Sequence, residues 1–280
     1  MSSLPYRYVN RQRYRLTTEG NVEKQLAEDI VISEEPLNIV LHWTCHQTNE
    51  VLEKTLMVTM RTPGEDDCLV AGLLLSLAVV DNILQIKSMT TTEPNQCDVF
   101  LADNVLLDWD TLTRHFISHS GCGICGTNNV KKLAHTFDVC IDETQHWLPI
   151  STLLTFPALL QAQQSLFAVT GGVHSAGLFT LQTGLSVKED VGRHNAVDKV
   201  IGDLMMRGEF HSQSILMLSG RISFELMQKA VAAKIPVVIA IGAPSSLAIA
   251  VAKQFNITLI GFAKEQTCNI YHGDFRLQKH

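Results

Sequence analysis

The sequence predicts an α/β protein, a layered mixed sheet with a smaller strand-rich N-terminal part. Three observations carry this. Between residues 177 and 271, short apolar runs alternate with amphipathic segments, the order that builds a layered α/β domain. The first 65 residues hold short β-type runs separated by polar turns. Hydrophobic residues make up 46% of the 280 positions and charged residues only 18%, with mean hydropathy +0.12. That is enough apolar surface for a sizeable core and too much for a disordered chain.

In chain order, residues 13–18, 29–33, 37–42 and 55–60 read as strands, with turns at 19–21 and 33–36. Residues 66–80 read as a buried helix by length and Leu/Ala content, followed by strands at 83–90 and 97–101. A helical pattern at 109–118 opens on Asp108 or Asp110 and stops at Gly121. Residues 120–129 (SGCGICGTNN) carry three glycines and no hydrophobic period, so they read as a loop, and polar sequence continues to Pro149. A helix is expected at 157–169, then a strand pair at 177–182 and 185–188 across Thr183-Gly184. Residues 195–206 place Val197, Val200, Ile201 and Leu204 at helical spacing. Strands at 215–218, 237–241 and 259–262 alternate with helices at 223–233 and 245–255, and 267–271 closes the sheet.

Lys and Arg number 22 against 28 Asp and Glu, a net charge of −6. This argues against a general nucleic-acid binder and leaves room for a local basic pocket. The longest apolar run, residues 68–80, would span roughly 20 Å as a helix against the ~30 Å of a bilayer core, so no membrane span is expected. The first residues, Met-Ser-Ser-Leu-Pro-Tyr-Arg, show no apolar leader segment. Seven cysteines, an odd number, then read as reduced thiols in the cytoplasm.

Cys122-Gly-Ile-Cys125 is the most chemical feature. A zinc site is conceivable with His115 and His119, which share a helical face, but no second CxxC is present. A thioredoxin-like pair should open a helix after a strand, and this pair instead follows a predicted helix. A zinc deaminase needs His-x-Glu ahead of Pro-Cys-x-x-Cys, and here His174 follows the pair and lacks the Glu. A mobile sulfur carrier, with a thiolate accepting sulfane sulfur and a neighbour assisting by exchange, fits a glycine-flanked loop best. An unremarkable pair of surface thiols is the bland alternative. The other five cysteines, at 45, 68, 97, 140 and 268, read as core.

Three small-residue turns are candidate ligand sites: Thr170-Gly171-Gly172-Val173-His174, Ser219-Gly220-Arg221 leading to Ser223, and Gly242-Ala-Pro-Ser245-Ser246. The last two follow strands and open helices, where free N–H groups favour an anion. The string 189–199 (EDVGRHNAVDK) reads as a recognition surface around Gly192, with a solvated helix start as the plainer alternative.

These motifs, in this order, resemble the FdhD/NarQ family over residues 30–275, and the 189–199 string is the most specific part. The resemblance implies a fold similar to cytidine deaminases without their zinc and with no tightly bound metal. It implies a cytoplasmic sulfurtransferase and cofactor chaperone needed for formate dehydrogenase activity. A cysteine desulfurase would donate sulfur as a persulfide on Cys122, with Cys125 assisting. The acceptor would be Mo-bis(molybdopterin guanine dinucleotide), and the chain would be a homodimer. Cofactor contacts would come from Gly171, Gly172 and His174, from Arg193, His194 and Asn195, and from Ser219, Gly220 and Arg221. Gly242, Ser245 and Ser246 would add to them, as would the turn Phe262, Ala263, Lys264, Glu265, Gln266 and Thr267. Relatives tend to carry arginine in that turn, where this chain has Lys264 and Gln266, and lysine lacks the bidentate fork. The expected organisation is 1–120 strand-rich, 121–150 a mobile CxxC loop and linker, and 151–280 cofactor-binding. Rival readings are a non-catalytic cofactor-binding chaperone and a zinc hydrolase of deaminase-like fold.

Overall fold

In a computed structural model the structure describes residues 4–45, 48–91, 93–107, 109, 112, 126–137, 139, 141, 143–209 and 212–278. The side chains of 126–129 are not among them. The fold is mixed α/β, as the alternation predicts. Its further likeness to cytidine deaminases rests on the family resemblance alone.

The C-terminal sheet has six strands. β8 (His174–Thr180) and β9 (Gly184–Asp190) form the expected hairpin. β10 (Ile215–Leu218), β11 (Val237–Ala240) and β12 (Thr258–Gly261) run parallel, and β13 (Asn269–His272) closes the far edge antiparallel. β8 pairs antiparallel with β10. Every residue of β10–β12 is buried, the pattern of strands covered on both faces. Alternate residues serve different cores. Leu216, Leu218, Val238, Ala240 and Leu259 join a large cluster, and Ile215, Met217, Val237, Ile239 and Ile260 a smaller one.

The large cluster lies under α5 (Arg193–Arg207), α6 (Phe224–Ala232) and α7 (Ser246–Gln254). It continues through α1 (Asp66–Ser76) into an N-terminal four-stranded sheet. That sheet holds β3 (Glu35–Thr44), β4 (Val51–Arg61), β5 (Ile86–Thr90) and β6 (Gln96–Leu101) in the order β4-β3-β6-β5. Strands from both halves of the chain thus share one core. The junction is a close helix crossing. A Cβ on Gly202 of α5 would lie 1.9 Å from the Cys68 carbonyl oxygen, and one on Gly72 of α1 2.0 Å from that of Asp198. Both obstacles are backbone, so nothing can swing aside. Gly202→Ala is therefore expected to cost at least about 2 kcal/mol, read as a lower denaturant midpoint at unchanged slope.

Several expectations need correction. The helix over 66–80 ends at Ser76. Ala78 takes φ 55°, Val79 N–H donates to Leu74 O at 2.9 Å and Ala78 N–H to Leu75 O at 3.0 Å, a Schellman closure. Leu-rich sequence runs on, but as a turn. Residues 83–85 form a 3-10 turn rather than the start of a strand. The helix placed at 157–169 is two: α3 (Ile150–Ala162), with Pro157 inside it, and α4 (Ser165–Thr170). Pro157 locally favours a helix start, but Leu153, Phe156 and Leu160 form one buried stripe over the small cluster, and that packing carries the helix through the proline.

Residues 126–136, half-assigned to the loop, form α2 (Gly126–Thr136). The helix predicted at 109–118 lies outside the described residues except for Trp109 and Leu112, as do His115, His119, Cys122, Cys125 and Cys140. The N-terminal runs at 13–18 and 29–33 are ends of longer strands, β1 (Tyr6–Leu16) and β2 (Val22–Ile32), paired only with each other. Their charged alternation hid them. A short pair, β7 (Leu148–Pro149) with β14 (Leu277–Gln278), gave no sequence signal. Among the described residues, no helix is long and apolar enough to cross a membrane.

Candidate functional site

Because β10–β12 are parallel and β8 opposes them, five turns meet at one end of the sheet: the start of β8, the end of β9, and the exits of β10, β11 and β12. Ser175 N–H donates to Ser219 Oγ at 3.0 Å, and Ser219 N–H to Ser175 O at 3.1 Å. Ile222 N–H reaches Ala243 O at 3.0 Å and Ser245 N–H reaches Ile222 O at 2.9 Å, joining the exit of β10 to that of β11. Phe262 N–H donates to Gly242 O at 3.1 Å and joins the exit of β11 to that of β12. Glycine is required here: a Cβ on Gly242 would sit 2.6 Å from Gly220 O. Gly171, Gly172, His174, Ser219, Gly220, Arg221, Gly242, Ser245, Ser246 and the turn 262–267 are therefore brought to one end of the sheet.

The serines do less than expected at this rim. Ser223 Oγ accepts from Leu226 N–H and Ser245 Oγ from Ala248 N–H, so both are N-caps of α6 and α7. The exit of β12 has an unusual backbone. Phe262 is exposed and held at φ 52°, a conformation bulky residues rarely adopt outside constrained sites. Beyond it Ala263 is buried, while Lys264, Glu265, Gln266 and Thr267 form an exposed turn closed by Lys264 N–H to Thr267 O at 2.8 Å.

The 189–199 string divides sharply. Glu189 accepts from Leu166 N–H at 2.7 Å and Phe167 N–H at 2.9 Å, capping α4 from across the sheet. Asp190 is fully buried and pairs with Lys199 Nζ at 2.8 Å, while its oxygens also accept from Thr62 and Gly192 N–H. Asp198 pairs with Lys229 at 2.8 Å and accepts from Ser76 Oγ at 3.0 Å. Asn195 departs from the expected contact role: its amide faces inward, donating to Met60 O at 2.7 Å and Asp190 Oδ1 at 3.2 Å. The most specific string in the sequence is thus mainly a buried polar lock. Only Arg193 and His194 remain at the rim. His194 Nε2 lies 2.7 Å from Glu225 Oε2 on α6, a partner 31 positions away that no local pattern reveals.

His174 stands at the start of β8 beside Gly220. Partial burial, then the charges of Arg193 and His194, push its pKa below the ordinary histidine value of 6.5. The folded state therefore resists a proton that the unfolded chain accepts, and stability falls as pH drops through that value. His272 is shifted the same way by burial, Lys253 and Arg276. Melting temperature is expected to decline from pH 7.5 to 5.5, and His174→Gln should flatten part of that slope. An unchanged slope in the variant would remove His174 from the account.

Among the described cysteines, burial pushes the thiols of Cys68 and Cys97 up to about 12 and raises Cys268. Cys68 and Cys97 are core, as expected, while Cys45 and Cys268 are half-buried. No group of three or more His, Cys, Asp or Glu among the described residues could hold a metal ion.

The family model for the FdhD/NarQ family matches residues 32–278, nearly the whole chain. The chain belongs to the FdhD/NarQ family. Relatives in the FdhD/NarQ family include the Sulfur carrier protein FdhD of Nocardia farcinica, 38% identical over 281 residues and covering 96% of this chain and 95% of that protein. The protein of the same name from Sulfolobus acidocaldarius is 36% identical over 249 residues, covering 88% and 90%. A crystal structure from Desulfotalea psychrophila, provisionally described as a formate dehydrogenase accessory protein, superposes with TM-score 0.71. It is 22% identical, covers 97% of this chain and 99% of that one, and bears on the fold alone.

Proposed function

We propose that this FdhD/NarQ protein receives sulfur from a cysteine desulfurase as a persulfide on Cys122. It passes the sulfur to a Mo-bis(molybdopterin guanine dinucleotide) substrate held at the strand-end site, and the client is formate dehydrogenase. The observation that carries the reading is the convergence of five turns, two helix starts and Arg193, His194 and Arg221 at one sheet end in a chain whose relatives are named sulfur carriers. Helix starts favour phosphate groups, and arginines add donors that fork to such oxygens. The cytoplasm is the expected compartment, and a homodimer the expected assembly.

The cysteine context also favours carrier chemistry. A glycine on either side of the pair in sequence permits the backbone swing that delivery of sulfur needs. In the proposed cycle, the Cys122 thiolate attacks the outer sulfur of the donor persulfide and the donor leaves as a thiolate. Attack of the Cys125 thiolate on the Cys122 sulfur then expels hydrosulfide to the acceptor. The Cys122–Cys125 disulfide left behind is reduced by a cellular dithiol, which restores both thiols.

The test is intact-mass spectrometry without reductant after incubation with a cysteine desulfurase and cysteine. A sulfur adduct of roughly 32 Da on the wild type and on Cys125→Ala, absent from Cys122→Ala, is expected. No adduct on any form would return the weight to a non-catalytic cofactor-binding protein, or, with stoichiometric zinc in the purified protein, to a zinc hydrolase.

A further inference from the structure

His174 is the first residue of β8, and its place at the strand-end site follows from antiparallel pairing with β10. It lies two positions beyond Ala176, which faces Leu218, the last residue of β10. It reaches solvent, and a Cβ on Gly220 would stand 3.6 Å from its Nδ1. Arg193 and His194, the first two residues of α5, are near enough for their charges to act on it. The imidazole makes no hydrogen bond or ion pair with another described residue.

The carboxylates that β9 and α6 bring to this end are committed elsewhere. Asp190 stands directly opposite His174 on β9, and residues so paired share a face of the sheet. Its oxygens nevertheless go to Lys199, to the N–H groups of Thr62 and Gly192 and to the Asn195 amide. Glu189 caps α4, and Glu225 lies against His194 at 2.7 Å. Partial burial and the cations of α5 hold the ring neutral at pH 7. His174 is thus a basic group in a cationic corner, with its counter-charge still to come.

We propose that His174 couples the holding of a diphosphate ligand at this site to the uptake of a proton. The ligand supplies the negative charge that the surrounding carboxylates do not, and the imidazole becomes an imidazolium beside it. This rests on the reading of the strand end as a phosphate-holding site. An opposite charge within about 4–6 Å favours the charged form of a group by roughly one to three pH units. The complex therefore binds the proton more tightly than the free protein does, and affinity rises as pH falls between the two values. Reciprocally, ligand binding draws in part of a proton near neutrality. His194 is less suited to this part, because Glu225 already opposes it before a ligand arrives. A proton donor then stands beside the ligand only while the ligand is held.

The test is calorimetry on the full chain with GDP-mannose, and it does not depend on sulfur transfer. A diphosphate esterified at both ends keeps its charge across this range, whereas a terminal phosphate titrates near about pH 6. Binding should tighten roughly tenfold from pH 7.5 to 5.5, with a heat that varies with the buffer's ionisation enthalpy. His174→Gln should lose most of that slope and most of the proton uptake. Arg193→Gln should move the slope to higher pH, whatever it does to affinity, because it removes a cation that acts on His174. His272 is shifted the same way by its own neighbours but pairs with Leu259, towards the opposite end of the sheet. His272→Gln should therefore keep the wild-type slope, with melting curves showing that each variant folds. An affinity indifferent to pH, or an unaltered slope in His174→Gln, would overturn the proposal and leave the site in place. Absence of GDP-mannose binding at every pH would overturn the reading of the site and this inference with it.

Discussion

Cys122→Ala is expected to reduce activation of formate dehydrogenase to background while binding of GDP, as a probe of the strand-end site, is unchanged. The reasoning is chemical. Sulfane transfer needs a thiolate, and no described cysteine shown to have a shifted thiol can substitute. At pH 7 a thiol with pKa about 12, as for Cys68 and Cys97, is ionised in only about one molecule in 10⁵. Arg221→Ala should give the converse result, a persulfide that forms normally on a protein that holds GDP weakly. If Cys122→Ala still activates the client fully, the carrier role is wrong and the binding-protein reading takes its place. Loss of both activation and GDP binding would mean instead that the substitution disturbs the fold.

Asp190→Ala should produce the largest loss of stability of any single change near the site. Asp190 and Lys199 are 0% and 1% exposed and 2.8 Å apart, and Lys199 also donates to the carbonyls of Thr62 and Glu189. Removing one partner leaves a buried charge uncompensated, which costs about 3–5 kcal/mol. For a chain of this size that lowers the melting temperature by roughly 10 °C. The double change Asp190→Leu/Lys199→Met should recover much of the loss, because it removes both charges rather than stranding one. Melting curves of the three variants decide this. A double variant no better than Asp190→Ala would mean that the hydrogen bonds to Thr62, Gly192 and Asn195 matter more than the charge balance.

The lock formed by these residues shows how far local reading reaches. The sequence marked 189–199 as distinctive and left open whether it recognises a ligand or starts a helix. Its members turn out to hold three segments together: β4 and Thr62 from the N-terminal sheet, α4 through Glu189, and α6 through Asp198–Lys229. Partners 22 to 137 positions away leave no periodic trace, so their role could not be read from spacing. Pro157 illustrates the same limit from the opposite side. Its local preference to start a helix was overridden by a stripe whose burial depends on a sheet formed 60 to 100 residues later.

What the sequence determined by itself was the α/β class, the buried strands of the second half, the helices that open at Ser223 and Ser245, and the family. Each of these depends on neighbours within a few residues: runs of apolar side chains, their period, and a hydroxyl placed ahead of a helix. Tertiary structure alone decided that strands from both halves share one core, and that five separated turns meet at one sheet end. It also decided which polar residues of 189–199 face inward and that an alternating charged stretch forms a free arm. Those outcomes follow from close approach, as at Gly202 and Gly242, and from burial, which can pair an aspartate with a lysine only once the chain has brought both out of water.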